Sequence, residues 1–178
     1  MKIVIQRVQR ASVRVGDELV AEIGHGLLIL VGVRLGDEVG GAKRLADKTA
    51  ALRIFANEDG RFDRSVRDVG GEALVVSQFT LHADVRRGNR PNFTRAAAPD
   101  VAARLVEAYA KALEDNGVPV SRGRFGAMMA VDLLNDGPVT IVIDARDLLQ
   151  SRRQGARELD TMATEDPAAT ELEDEGTS

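Results

Sequence analysis

The most informative stretch of the chain is Val131-Asp132-Leu133-Leu134-Asn135-Asp136-Gly137-Pro138-Val139-Thr140-Ile141-Val142-Ile143, in which two strand-like runs flank four turn-forming residues. Asn, Asp, Gly and Pro each favour a turn for a different backbone reason. Gly137 has no side chain, so another molecule can approach the backbone there closely, and the bond to Pro138 is of the type that tolerates a cis peptide. Two interpretations follow: an ordinary turn between two strands, which these residues alone favour, or a rigid corner that presents main-chain oxygens to a ligand.

The rest of the pattern predicts a mixed domain. Apolar alternation predicts a long first strand with a slip near Gln9-Arg10 that could be a bulge, and the unbroken apolar run at residues 27–31 predicts a central strand covered on both faces. Helical spacing predicts one helix from residue 36 or 37 to about Leu52 and another from Pro99 to a cap at Asn116-Gly117. We therefore predict a mixed α/β fold of largely antiparallel, curled β-sheets with two main helices.

Charge divides the chain into a near-neutral body and an acidic tail. The 178 residues carry a net charge of −4. Residues 151–178 contain three Arg and eight acidic residues, whereas residues 1–150 contain 21 basic and 20 acidic residues. We predict one domain over residues 1–150, able to bind an anion through a local patch, and a disordered tail over residues 151–178 that takes no part in the chemistry.

Composition also excludes several classes of site. The chain has no cysteine, which excludes disulfides and thiolate metal ligands, and its two histidines, His25 and His82, lie far apart in sequence. We therefore expect neither a metal nor a cofactor. No apolar stretch approaches the length of a membrane span or a signal sequence, so we expect a cytoplasmic protein without a membrane partner.

A first candidate site is the run Ser77-Gln78-Phe79-Thr80, which follows the predicted strand at residues 73–76. Two hydroxyls, an amide and an aromatic ring thus cluster where a buried strand ends, a common place for ligands. Ser77 or Thr80 would be a nucleophile if a base lay close, but donors that orient a substrate or stabilise an oxyanion fit these residue types better. A strand edge with satisfied hydroxyls is an equally supported alternative.

A second candidate is the loop 86–95, which holds four arginines among glycine, proline and phenylalanine. Arg86, Arg87 and Arg90 have the chemistry of phosphate contacts in RNA binding; a solvated basic loop is the alternative. The run 125–129, which ends in Met128-Met129, is either core filler or one wall of an apolar pocket for a base.

Together these segments resemble the bacterial D-aminoacyl-tRNA deacylase family, which hydrolyses the ester between a D-amino acid and tRNA. The resemblance covers residues 1 to about 145 in unbroken order. Its most specific motifs are the Ser-Gln-Phe-Thr and Gly-Pro segments. The matching segments are Arg7-Val8, Ala11-Ser12-Val13, Gly26-Leu27-Leu28, Leu52-Arg53-Ile54-Phe55, Asp68-Val69-Gly70-Gly71, Ser77-Gln78-Phe79-Thr80-Leu81, Gly88-Asn89-Arg90-Pro91, Gly123-Arg124-Phe125-Gly126-Ala127 and Asn135-Asp136-Gly137-Pro138-Val139-Thr140.

The resemblance implies an enzyme that works as a homodimer on aminoacyl-tRNA, with active sites at the interface and no metal. A cis Gly137-Pro138 corner of one subunit would enter the site of the other and leave no room for an L side chain, while glycyl-tRNA mischarged on a non-cognate tRNA would still be accepted. Ser77, Gln78, Phe79 and Thr80 would form the catalytic segment, with either Thr80 or the 2′-hydroxyl of the terminal adenosine activating the attack. Met129 would be a wall for the adenine.

Two residues depart from the family pattern. Met128 stands where Asp is frequent, which puts a polar role at that position in doubt, and Asn92 stands where Ser is frequent; the acidic tail has no counterpart. A rival hypothesis of another class is a non-catalytic nucleic-acid-binding protein that uses the loop Arg86–Arg95. A hydrolase of small esters or amides would account for the hydroxyls but not for the arginines.

Overall fold

A computed structural model describes residues 1–148 of the chain, so the predicted tail, residues 151–178, lies outside the described residues. Residues Met1–Ala145 form one compact unit, and residues 145–148 are helical. The elements in chain order are β1 (Lys2–Val15), β2 (Glu18–Ile23), β3 (Gly26–Gly32), α1 (Val39–Ala51), β4 (Phe55–Ala56), β5 (Phe62–Arg64), β6 (Glu72–Ser77), a 3₁₀ turn (Phe79–His82), α2 (Pro99–Asp115), β7 (Val120–Arg122) and β8 (Ala130–Asp144).

The long strand β1 organises the main sheet. It pairs antiparallel with β8 along one side, while β3 and β2 pair antiparallel with its first and second halves. Beyond β3 the sheet continues in parallel through β6 to β7, and β4 and β5 form a separate antiparallel hairpin. The predicted mixed fold with largely antiparallel pairing and two main helices is therefore confirmed.

The buried residues include helix side chains such as Leu45 and Leu113 and a separate cluster formed by strand residues, among them Val8, Val13 and Leu74. β3 is buried along nearly its whole length, as its unbroken apolar run predicts. Where α1 meets α2, the hydroxyls of Thr49 and Tyr109 share a buried hydrogen bond of 2.9 Å, which satisfies two polar groups that would otherwise be costly to bury. The predicted C-cap of α2 is confirmed: Gly117 adopts a positive φ of +81° and donates its N–H to Glu114 O at 2.8 Å.

The structure corrects the prediction for the stretch 131–143. It is one strand, β8, rather than two strands joined by a turn, because both of its halves pair with the same strand β1. Val8 pairs with Asn135 and Gln6 pairs with Thr140, so residues 136–139 lie opposite the single residue Arg7. The four turn-forming residues therefore produce a wide bulge.

The side chain of Asn135 closes this bulge. Its Oδ1 accepts the N–H of Val139 at 2.9 Å, and its Nδ2 donates to Val139 O at 3.3 Å. The amide thus replaces ladder bonds that the bulged segment cannot make. The bond between Gly137 and Pro138 is cis. The slip predicted near Gln9-Arg10 is also confirmed, since the register against β8 shifts between Val8 and Arg10.

Candidate active site

A cleft of about 670 Å³ opens at the C-terminal end of β6. Most of its wall is apolar, with contributions from β3, β8, the start of α2 and the loop 123–129. Its polar lining comes from Ser77, Gln78 and Thr80. The principal apolar lining residues are Val31, Val76, Ala97, Phe125, Met129 and Val131.

The predicted segment Ser77–Thr80 forms one side of the cleft because β6 ends there. Ser77 is the last strand residue, and the N–H of Gln78 donates to Val31 O at 2.8 Å, which anchors the exit from the sheet. The chain then enters the 3₁₀ turn, which leaves Phe79 and Thr80 exposed. The amide Nε2 of Gln78 donates to Thr80 Oγ1. This bond fixes the orientation of the Thr80 hydroxyl, which keeps its own proton for donation.

The two hydroxyls of this cleft have no base beside them among the described residues. Within residues 1–148, no Asp, Glu, His, Lys or Arg lines the cleft. His82 would face the same way as Thr80 only in a continued strand, and the 3₁₀ turn instead buries it. Burial lowers the pKa of His82, and its Nε2 finds no hydrogen-bond partner in the described part of the chain. Within residues 1–148, no group of three or more His, Asp or Glu side chains is arranged to hold a metal ion.

The opposite wall of the cleft is the loop 123–129. Gly123 donates its N–H to Val75 O at 2.9 Å, and a Cβ at this position would lie 2.9 Å from Met129 Sδ. A side chain at position 123 would therefore displace the Met129 thioether from its present position. Arg124 ties the loop to β2 through hydrogen bonds of 2.6 and 3.0 Å to the Glu18 carboxylate, and these bonds lower the pKa of Glu18. Met128, at the rim, is 92% exposed.

The arginine loop is closed at its base by an antiparallel bridge between Asp84 and Asn92. Arg86 makes a bidentate contact with the Asp84 carboxylate, and Arg95 lies 3.4 Å from it. These cations hold the pKa of Asp84 well below its usual range, through the Arg86 hydrogen bonds above all. Among the predicted tRNA-binding residues, Arg86 is therefore engaged inside the loop, whereas Arg87 and Arg90 are exposed and make no ion pair within the described part of the chain.

The Gly137-Pro138 corner is exposed and does not line the cleft of its own chain. Val131 lies in the cleft wall, and Gly137 is six residues further along the same strand. At about 3.3 Å per strand residue, the corner is on the order of 20 Å away. Within one chain, therefore, the two predicted parts of the site are not brought together.

Arg7 holds the corner, a role that was not identified from the sequence although Arg7-Val8 is one of the matching segments. Its guanidinium donates to Ile54 O at 2.6 Å and to Asp136 O at 3.1 Å, and its Nε lies 3.0 Å from an oxygen of the Asp136 carboxylate. The group also lies over the rings of Phe55 and Phe62, at 6.0 and 5.4 Å. The available signal was the position of Arg7, which follows Ile3 and Ile5 in the apolar alternation of β1, where a charge is rare unless it has a partner.

Comparison with known proteins places this geometry in a family. The family model described as D-Tyr-tRNA(Tyr) deacylase matches residues 4–144. Similar proteins named D-aminoacyl-tRNA deacylase include one from Roseiflexus sp. (strain RS-1), 60% identical over 86% of this chain and 99% of that protein, and one from Chloroflexus aurantiacus, 57% identical over 88% and 98%.

Two solved structures are also similar. One is described as c-Myc DNA Unwinding Element Binding Protein, with a TM-score of 0.75 and 39% identity over 81% of this chain and 98% of that one. The other is described as a probable eukaryotic D-amino acid tRNA deacylase; it has a TM-score of 0.70 over 80% and 98% of the chains, and its 17% identity supports the fold alone. No helix within residues 1–148 is long and apolar enough to cross a membrane. The chain belongs to the D-Tyr-tRNA(Tyr) deacylase family.

Proposed function

We propose that this protein hydrolyses the ester bond of D-aminoacyl-tRNA and releases the free amino acid and tRNA. The observation that carries the proposal is the uncharged cleft in which Ser77, Gln78 and Thr80 supply the polar groups. An ester is a neutral electrophile, so its hydrolysis requires donors that stabilise an oxyanion more than it requires a cationic binding site. The family to which the chain belongs supports the same reaction. The activity is cytoplasmic in this proposal, because aminoacyl-tRNA is used there.

The cleft offers a place for each part of the ester. The terminal adenosine would lie against Met129 and Phe125, whose side chains give the cleft an apolar wall. The ester carbonyl would lie against Ser77–Thr80, where the Thr80 hydroxyl, already accepting from Gln78, can donate its proton. Because no ionisable side chain lines the cleft, the 2′-hydroxyl of the adenosine is the better candidate to orient the attacking water, and Thr80 would position the substrate.

Selection against L-amino acids would use the corner of a second copy of the chain. The distance of about 20 Å along β8 prevents Gly137 from reaching the cleft of its own subunit. Within residues 1–148, β8 pairs only with β1 and leaves its other edge unpaired. Such a long free edge offers unpaired N–H and C=O groups to which a strand of another chain can pair. A homodimer that inserts the exposed Gly137-Pro138 backbone into the partner's cleft would exclude a side chain on the L face by steric rejection.

The same filter would accept glycine. Rejection depends on a side chain that collides with the corner, and glycine has none. We therefore include glycyl-tRNA mischarged on a non-cognate tRNA among the substrates.

Hydrolysis of matched esters tests the activity. The protein is incubated with D-tyrosyl-tRNA, L-tyrosyl-tRNA and glycyl-tRNA, and release of the amino acid is measured. We expect rapid release from the D and glycyl esters and little from the L ester. Equal hydrolysis of the D and L esters would contradict the proposal that the protein selects against L-amino acids. Salt-dependent tRNA binding without any hydrolysis would support the rival, a non-catalytic nucleic-acid-binding protein.

Subunit complementation tests the shared site. Gly137→Leu obstructs the corner, and Ala127→Trp fills the cleft, so each variant alone should be inactive. After the two are unfolded and refolded together, half of the dimers are mixed, and each mixed dimer has one site with an intact corner and an intact cleft. Activity should return to about a quarter of the wild-type value. A particle of monomer mass, or no recovery from properly folded mixed dimers, would contradict the arrangement.

A further inference from the structure

We propose that Phe79 and Phe93 form a stacking platform for the unpaired nucleotides that precede the terminal adenosine of the tRNA 3′ end. The inference rests on the proposed function and extends it, because the substrate parts placed in the cleft by that proposal are only the terminal nucleoside and its ester. The platform would determine how the enzyme distinguishes a tRNA end from a small aminoacyl ester.

The two rings form an exposed aromatic pair at the mouth of the cleft. Their centroids are 5.0 Å apart, and their planes meet at 71°. Phe79 lines the cleft, whereas Phe93 does not, so the pair leads from the cleft outward. Phe79 is 56% exposed and Phe93 is 37% exposed. An aromatic pair open to solvent gives up much of the stabilisation that burial would bring, and it leaves ring surface available for a base.

The backbone around Phe93 is fixed rather than free. Phe93 O accepts the N–H of Ala96 at 2.9 Å, and Asn92 Oδ1 accepts the N–H of Thr94 at 2.8 Å. Asp84 and Asn92 exchange backbone hydrogen bonds of 2.7 and 2.9 Å just before Phe93. The backbone that carries the ring is therefore held in place before any ligand arrives, which lowers the entropic cost of binding. Asn92, a departure from the family pattern, makes a turn bond that the oxygen of a serine could also make.

Positive charge lies on the loop next to the platform. Arg86 and Arg95 are directed at the Asp84 carboxylate. Arg87 and Arg90 have no ion-pair partner within residues 1–148 and are exposed. Stacking rings beside unpaired arginines are the combination by which proteins bind single-stranded nucleic acid, since the rings contact bases and the cations contact phosphates. This charge complementarity favours an RNA end over an apolar peptide as the occupant.

Two substrates separate this role from a merely structural one. One is D-tyrosyl-tRNA, and the other is the D-tyrosyl ester of adenosine, which lacks the preceding nucleotides. Stacking is worth about 1–3 kcal/mol per base, so for Phe93→Leu we expect kcat/KM to fall roughly 5- to 160-fold with the tRNA ester and much less with the adenosine ester. Phe93→Tyr, which keeps the aromatic ring, should have a kcat/KM with the tRNA ester close to that of the wild-type protein. Leu35→Ala, at another exposed apolar residue, should change neither.

Three results would overturn the platform. In the first, Phe93→Leu lowers kcat/KM equally for both esters, which would mean that Phe93 only supports Phe79 and the cleft. In the second, Phe93→Leu remains folded by its unfolding midpoint and loses nothing with the tRNA ester. In both of these the wild-type protein cleaves both esters, so the proposed function stands. In the third, the wild-type protein cleaves neither ester, and the proposed function fails together with the platform.

Discussion

The guanidinium of Arg7 is bonded to the main chain of Asp136, with Nε donating to the carbonyl oxygen at 3.1 Å. Arg7 lies in β1 opposite the four-residue bulge of β8, so this bond joins the centre of the sheet to the residue just before Gly137. The same group donates to Ile54 O and stacks near Phe62. An exposed corner is thus fixed from beneath by a nearly buried cation with several partners.

Replacing Arg7 should weaken both the fold and the chiral filter. Arg7→Met leaves Ile54 O and Asp136 O without their donor, and we expect a loss of about 1–3 kcal/mol in the free energy of unfolding. The freed corner should also lower the ratio of D- to L-tyrosyl-tRNA hydrolysis. Denaturant unfolding and paired kinetics measure the two effects. Arg53→Met breaks the exposed pair with Asp63 and should cost no more than about 1 kcal/mol. An unchanged ratio of D- to L-tyrosyl-tRNA hydrolysis in Arg7→Met would show that Arg7 does not contribute to selectivity.

Gly137→Ala should be more harmful than the same change at another glycine with positive φ. At Gly137, φ is +126°, and an added Cβ would lie 2.8 Å from Val139 Cγ2 and 2.9 Å from Arg7 Nη2. At Gly60, φ is +77° and the added Cβ meets nothing within 4 Å. Gly60→Ala should therefore show backbone strain alone, about 1 kcal/mol, while Gly137→Ala adds the collision and displaces Arg7. The free energies of unfolding of the two variants are compared by denaturant titration. Equal losses of stability would show that the close contacts around Gly137 do not add to the cost of the substitution.

The fold was largely accessible from the sequence because its strongest signals are local. Alternation in β1, the apolar run of β3 and the Asn116-Gly117 cap each depend on neighbouring residues. The continuity of β8 was not accessible, because it depends on pairing with β1, more than a hundred residues away. Turn-forming residues inside a strand read as the end of that strand unless the partner strand is known.

The site was predicted in its residue types but not in its geometry. Ser77–Thr80 does line the cleft. The 3₁₀ turn that leaves Thr80 exposed and buries His82 has no clear signature in the sequence, however. Two further features depend on tertiary contacts: Arg86 is engaged by Asp84, and Arg7 supports the corner. Charged residues reveal their partners only in three dimensions, so a sequence shows a basic loop without showing which cations remain free.

Stability should fall between neutral and mildly acidic pH because of His82. Burial lowers its pKa in the folded state, whereas the unfolded side chain titrates near 6.5. Below about pH 6.5 the unfolded chain therefore binds a proton that the folded chain does not, and stability declines as the pH falls towards the lower folded value. In His82→Gln, whose side chain cannot titrate, the unfolding midpoint should depend less on pH over this range. His25→Gln, at the exposed histidine, should retain the decline, and an unchanged slope in His82→Gln would contradict the assignment.

The size of the effect of Thr80→Val should decide what the Thr80 hydroxyl does. The substitution keeps the branched shape and removes the oxygen that accepts from Gln78. If the hydroxyl only positions the ester, one hydrogen bond of about 0.5–1.5 kcal/mol is lost, and kcat should fall roughly 2- to 13-fold. If Thr80 is the covalent nucleophile, kcat should fall by several orders of magnitude and Thr80→Ser should recover most of it. Because no ionisable side chain lines the cleft to remove the Thr80 proton, we expect the smaller effect. Single-turnover kinetics with D-tyrosyl-tRNA, in which an acyl-enzyme would appear as release of tRNA ahead of release of the free amino acid, provides an independent measurement of the same distinction.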